Sequence, residues 1–233
     1  MKKLLLFLFM AALFSSCGPS KNIDKMSQAL NNVEKSMVIK MPKASPVQLA
    51  LDVQYLASDE LEGRDTGSEG IEKAAIYLSE RFAEIGVLPY GESYMDHFEV
   101  QEKEAFNVVG LFPGSDKRLL KEVVVIGAHY DHIGMLQAVA GDSIANGAND
   151  NATGTATVLA IAENFRKLDF NKRTVVFALF SAEEKGLLGS KNLAQRMKKE
   201  GVNVVAMLNF EMTGTPMIDQ PYITYLSGHD GSD

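Results

Sequence analysis

Gly147-Ala148-Asn149-Asp150-Asn151-Ala152-Thr153-Gly154 places one acidic residue among Gly, Asn and Thr, immediately before a helix-forming run. Upstream lies Gly127-Ala128-His129-Tyr130-Asp131-His132. Downstream lie Ser181-Ala182-Glu183-Glu184-Lys185-Gly186 and then Asn209-Phe210-Glu211-Met212. Each polar group follows a run of apolar residues or sits at a helix start. The runs themselves predict the scaffold. Glu122–Gly127, Arg173–Phe180 and Val202–Phe210 are rich in Val, Phe, Leu and Ala, as buried strands are. Ala152 to Phe165 and Leu187 to Lys199 read as helices, the second with a basic end that suits a helix C-terminus. Strand and helix alternate through this half, so the expected class is α/β, with a mixed, mostly parallel sheet sandwiched between helices.

Working outward, Gly70 to Gly86 is the clearest helix. Ile71, Ala74, Ala75, Leu78, Phe82 and Ile85 share one face, and Gly86 stands at the stop. An earlier helix is expected from Pro46, an N1 proline after Ser45. Leu61 to Gly67, with two glycines among charges, reads as loop. His97–Val100, Phe106–Leu111 and Tyr222–Leu226 read as further strands. The chain has 233 residues, 46% of them hydrophobic, which suits one domain with a real core. The net charge is −7 and there is no Lys/Arg-rich block, so nothing points to a nucleic-acid partner.

Residues 1–17 read as a targeting segment. Lys2 and Lys3 precede an apolar stretch from Leu4 to Leu13, too short for a membrane helix of about 20 residues. Leu13-Phe14-Ser15-Ser16-Cys17 resembles a bacterial lipobox, whose cysteine is lipidated and becomes the mature N-terminus. Cys17 is the only cysteine, so no intrachain disulfide and no cysteine metal site or nucleophile is available. Residues 18–44 are polar and read as a tether, and residues 45–233 as the folded domain. The expected location is the cell envelope, with a lipid anchor on Cys17 as the sole membrane attachment, on the periplasmic face of the outer membrane.

The chemistry rests on His129, Asp150, Glu183, Glu184 and Glu211. Their separations of 21, 33 and 27 residues (129 to 150, 150 to 183, 184 to 211) are each about one β-α unit. Each group can therefore stand at the carboxyl end of a neighbouring strand, where open α/β sheets build their sites. Oxygen and imidazole donors gathered there suit a divalent-metal hydrolase. Asp150, held in a Gly/Asn loop, is the natural carboxylate to bridge two cations. His129 offers an imidazole, and Asp131 an acceptor for its other ring nitrogen. Of the adjacent glutamates, one can ligate while the other serves as general base. Taken singly, each has a plainer reading: a surface His-Asp pair, acidic residues at a helix start, an N-cap, a solvated strand end. The four together make coincidence a poor account.

With Leu56-Ala57-Ser58-Asp59-Glu60-Leu61-Glu62-Gly63-Arg64, Asp142-Ser143-Ile144 with Asn146–Gly154, Phe180–Gly189 and Asn209–Gly214, these segments resemble the M28 family of zinc-dependent exopeptidases, over roughly residues 45 to 228. The resemblance implies the family's mixed sheet between helices and an aminopeptidase that removes N-terminal residues from peptides through a metal-activated water. It implies His129, Asp150, Glu184 and Glu211 as metal ligands, with Asp150 bridging. Glu183 becomes the general base or acid, and Asp131 the residue that supports His129. Glu211 stands where the family usually has Asp. Zinc is the implied cofactor, two ions in a complete site. The family's last histidine ligand lies well downstream, and His229, 18 residues after Glu211, follows the Tyr222–Leu226 strand too directly to match it. The expectation is a chain that ends early, with one zinc and an uncovered sheet edge as consequences. His97 is expected to be structural, and His132 to line the site without binding metal. Two other readings stand beside the peptidase: a single-zinc glutaminyl cyclase, which a related branch of the family provides, and a non-catalytic peptide-binding lipoprotein.

Overall fold

Seven residues of one strand explain how the layers form. Thr174–Phe180 turns Val175, Phe177 and Leu179 toward one side and Val176, Ala178 and Phe180 toward the other, as a period of two requires. Both faces are buried, so both must be covered. In a computed structural model of the chain, which describes residues 42–216 and 227–228, helices cover them. The expected signal segment, nearly all of the tether, the Tyr222–Leu226 strand and His229 lie outside the described residues. The helices and strands described belong to the unit Lys43–Asp233.

The helices are α1 (Pro46–Leu56), α2 (Glu69–Ile85), α3 (Thr153–Leu168) and α4 (Leu188–Lys199). The strands are β1 (Leu88–Pro89), β2 (Met95–Val100), β3 (Lys103–Phe112), β4 (Glu122–His129), β5 (Met135–Val139), β6 (Asp142–Ile144), β7 (Thr174–Phe180) and β8 (Asn203–Asn209). Caps appear where the sequence signals them. The Ser45 hydroxyl accepts from the Gln48 amide at 3.3 Å, and the Ser68 hydroxyl from the Ile71 amide at 3.3 Å. Gly86 ends α2 in the left-handed region, with φ of 85°.

The main sheet runs β1-β3-β7-β4-β8, with β2 paired to β3. β7, β4 and β8 are parallel, while β1, β2 and β7 each run antiparallel to β3. The sheet is therefore mixed and carries helices on both faces. α1, α2 and α3 bury Leu56, Leu78, Phe82 and Leu159 against Phe177 and Leu179, and Phe177 sits among the rings of Phe82, Phe112 and Phe165 at 5.7–6.4 Å. α4 covers the other face with Leu193 and Met197 against Val176 and Phe180. β8 is exposed along its length, Val204, Val205, Met207 and Leu208 by 41–47%.

Among the described residues the expected helices and strands are found, with ends shifted by a few residues. Two features differ. Leu61–Gly67 was expected as open loop, but Asp59–Arg64 forms a 3-10 turn in which Glu62, Gly63 and Arg64 all have positive φ. That turn drives Arg64 fully into the interior. A two-stranded hairpin, β5–β6, stands between β4 and the Asp150 loop. Met135–Val139 is exposed throughout, so it lacks the alternation by which a strand is read.

Candidate metal centre

Register alone brings three donor segments together. His129 pairs with Phe180 in the parallel β4–β7 ladder, and Gly127 with Asn209 in the β4–β8 ladder. The carboxyl ends of three adjacent parallel strands therefore lie level. β4 ends at His129, Glu183 and Glu184 follow β7, and Glu211 follows β8. Asp150 arrives from the segment before α3, opposite these ends.

The side chains converge. His129 Nε2 lies 3.1 Å from Glu211 Oε1 and 3.3 Å from Asp150 Oδ1. On the far side of Asp150, Oδ2 lies 4.0 Å from His132 Nδ1, which is 2.9 Å from Glu184 Oε1. Each set, His129–Asp150–Glu211 and His132–Asp150–Glu184, has donor atoms within 4.8 Å of one another. Zinc bonds of about 2.0–2.1 Å set tetrahedral ligand atoms about 3.3 Å apart. The two distances from His129 Nε2 in the first set are close to that spacing, and the set's N/O donors suit zinc. His129 is 3% exposed, and burial alone would depress its pKa; hydrogen bonding and charge from Asp131 and Glu211 overcome this and push it up to about 10. Carboxylates that hold a proton so firmly on an imidazole are equally placed to hold a cation.

Asp131 is fully buried and its role is shared. The backbone carbonyl of Asp131 accepts from His129 Nδ1 at 3.1 Å, while the carboxylate stands 3.6 Å from the same nitrogen. The two carboxylate oxygens instead accept the backbone amides of Glu183 and Glu184, at 3.1 and 3.2 Å. One side chain thus ties the end of β4 to the segment that carries both glutamates. Burial raises the pKa of Glu183, and Glu184, Asp131 and Glu211 push the same way against His129. A partly buried carboxyl with raised proton affinity beside the donor sets is suited to proton transfer.

Two residues that sequence reasoning did not single out hold this arrangement. Asn151, fully buried, donates to the Phe210 carbonyl at 2.9 Å and accepts the amides of Gly154 and Met212, both at 3.1 Å. It locks the Asp150 segment to the segment that bears Glu211. The close approach needs Gly154, because a Cβ there would overlap Asn151 Oδ1 and the Phe210 carbonyl. Arg64 Nε donates to the Tyr130 carbonyl at 2.7 Å, and its Nη atoms donate to the carbonyls of Asn146 (2.8 Å), Gly147 (3.0 Å) and Leu56. Burial lowers its pKa to about 10, while Asp131 and Asp150 pull it upward. An arginine between two small turns gives no periodic signal; its clue was the two acidic groups needing a buried counter-charge.

His132, expected to line the site, stands with Nδ1 beside Glu184 and Asp150. His97 pairs at the surface with Glu104 at 2.8 Å, away from the donor sets.

An α/β sheet that gathers imidazole and carboxylate donors at its parallel strand ends has the side chains to hold a metal ion. The sequence specifies the family: residues 107–231, more than half of the chain, match the model of peptidase family M28, and the chain belongs to that family. It is 36% identical over 125 residues to an Arthroderma otae protein described as "Probable leucine aminopeptidase", a match covering 52% of this chain and 32% of the relative. The chain thus spans about a third of the length of the curated relatives it matches. Among solved structures it is similar to BSAP, a zinc aminopeptidase from Bacillus subtilis, with a TM-score of 0.58, 13% identity and coverage of 75% of this chain and 70% of that one. It is equally similar to the Fimbriiglobus ruber glutaminyl cyclase, with a TM-score of 0.58, 19% identity and coverage of 72% and 62%. These two likenesses show the fold.

Proposed function

We propose that this chain is the catalytic portion of a zinc-dependent aminopeptidase that acts on peptides with a free N-terminus. The observation that carries the reading is Asp150, whose two carboxylate oxygens face two separate donor sets. A carboxylate so placed suits two cations, one held with His129 and Glu211, the other with Glu184. When bound, the zinc ions polarise the scissile carbonyl and acidify water. The chain's own groups do the rest. Glu183 accepts the proton of the attacking water and passes it to the departing amine. Asp131 sets the direction of Glu183 and Glu184 through their backbone amides, and of His129 through its own carbonyl. Membership of the M28 family and the names of its relatives support the peptidase reading.

The test is hydrolysis of an aminoacyl nitroanilide beside its N-acetylated counterpart, with zinc measured in the same sample. Release from the free amine alone, abolished by chelation and restored by zinc, is the expected result. Equal cleavage of the blocked substrate ends the exopeptidase assignment. Because the cyclase structure is as similar as the aminopeptidase, a peptide with N-terminal Gln separates the two: ring closure with loss of ammonia, rather than release of Gln, makes the chain a cyclase.

The envelope location belongs to the same reading. Lys2, Lys3, the Leu4–Leu13 run and the lone Cys17 support a lipid anchor. Labelled palmitate is expected in the wild-type protein expressed in a bacterium and absent from Cys17→Ser; equal labelling in both removes the anchor.

A further inference from the structure

His132 follows His129 by three residues, past the end of β4, and its side chain is 12% exposed. Its placement is fixed from two sides. The backbone amide of His132 donates to the Arg64 carbonyl at 3.2 Å. The ring lies against Gly147, where an added Cβ would come within 2.7 Å of His132 Cδ2 and of Arg64 Nη2. Gly147 also has φ of 61°, so a side chain is disfavoured there twice. A cradle that only glycine leaves open therefore directs Nδ1 at Glu184 Oε1, 2.9 Å away, and toward Asp150 Oδ2, 4.0 Å away.

The two donor sets then have the same composition. Each has one imidazole and one glutamate, and each takes one oxygen of Asp150. Asp150 and Glu184 offer the second cation oxygen donors, which suit magnesium, calcium or manganese; an added imidazole shifts the preference toward zinc. We propose that His132 Nδ1 is a ligand of the second cation, together with Asp150 and Glu184, and that it raises the preference of this position for zinc over oxygen-seeking cations. The inference rests on the two-cation reading given under Proposed function.

Binding of metal tests it without reference to activity. Zinc and manganese are titrated calorimetrically into the metal-free full chain and into His132→Ala, with His132→Gln as the second variant should the first not fold. The first zinc equivalent is expected to bind both proteins alike. The second is expected to weaken in the variant by at least ~100-fold, the upper end for loss of a group that merely supports a ligand, while manganese binding at that position changes little. The cobalt-loaded proteins supply the count of ligands. His132 bound through Nδ1 keeps an exchangeable Nε2–H, so the proton spectrum loses one strongly shifted exchangeable imidazole signal in the variant. An unchanged second affinity, or an unchanged signal count with both cobalt ions bound, overturns the proposal. A wild-type chain that binds no zinc fails the functional reading instead, so the two failures are distinct.

Discussion

Replacing Glu183 by glutamine is expected to lower kcat by ~10²–10⁴-fold, the usual contribution of a positioned general base, while zinc content and KM stay close to wild type. The expectation follows from the division of labour between adjacent carboxylates. Glu184 Oε1 is committed to the donor set with His132 and Asp150. Glu183 belongs to neither donor set, and its pKa is raised by burial and by the neighbouring acids. The amide of glutamine nearly matches the carboxylate in size, so the Asp131 contacts to both backbone amides survive the change. An effect on kcat with retained zinc therefore isolates proton transfer. Single-turnover hydrolysis of a free-amine substrate, with zinc determined on the same preparation, measures both quantities. Activity within tenfold of wild type would remove Glu183 from the chemistry. Loss of a zinc equivalent would instead make it a ligand.

How far such roles could be read from sequence depends on where each side chain's contacts lie. The convergence of His129, Asp150, Glu184 and Glu211 was legible because His129, Glu184 and Glu211 end or follow strands whose period identifies them, Asp150 precedes a helix, and parallel neighbours must bring those ends level. The helix over Glu69–Ile85 was legible for a related reason: its buried face repeats every three to four residues, with a serine cap before it and a glycine after. Arg64 was not. Its donors reach carbonyls 66 to 83 residues away, through a turn whose positive φ values no local pattern encodes. Asn151 was hidden because the residue beside it carries the obvious charge. His132 was legible as a residue near the site, but the direction of its ring depends on the space at Gly147, which is tertiary information. The β5–β6 hairpin escaped because an exposed ribbon has no buried face to set a period.

Arg64→Met is expected to destabilise the metal-free chain by ~3–5 kcal/mol, the scale of leaving two or three buried carbonyls without a donor. The side chain is fully buried, and its guanidinium donates to the carbonyls of Tyr130, Asn146, Gly147 and Leu56. Methionine preserves the apolar stem and most of the volume, so the loss comes from polarity rather than from a cavity. Four carbonyl oxygens lose this donor, each at about 1–3 kcal/mol where no other partner replaces it. Asp131 and Asp150 also lose the cation that attracts them. Arg64→Lys is expected to recover only part of the difference. An ammonium on a flexible stem cannot reproduce the planar fork that reaches four acceptors from separate segments. Urea unfolding must be followed on metal-free protein, because bound zinc would add its own binding free energy to the folded state. A loss below about 1 kcal/mol would show that water takes over the acceptors and that the guanidinium is dispensable to the fold. The same variant carries a functional consequence. Asn146 and Gly147 lead directly into Asp150, so releasing their carbonyls frees the segment that must hold one carboxylate between two donor sets. Zinc affinity is therefore expected to fall in Arg64→Met even under conditions where circular dichroism shows a folded chain, and to fall for both equivalents together. That joint loss separates the effect of Arg64 from that of His132, whose removal weakens the second equivalent alone.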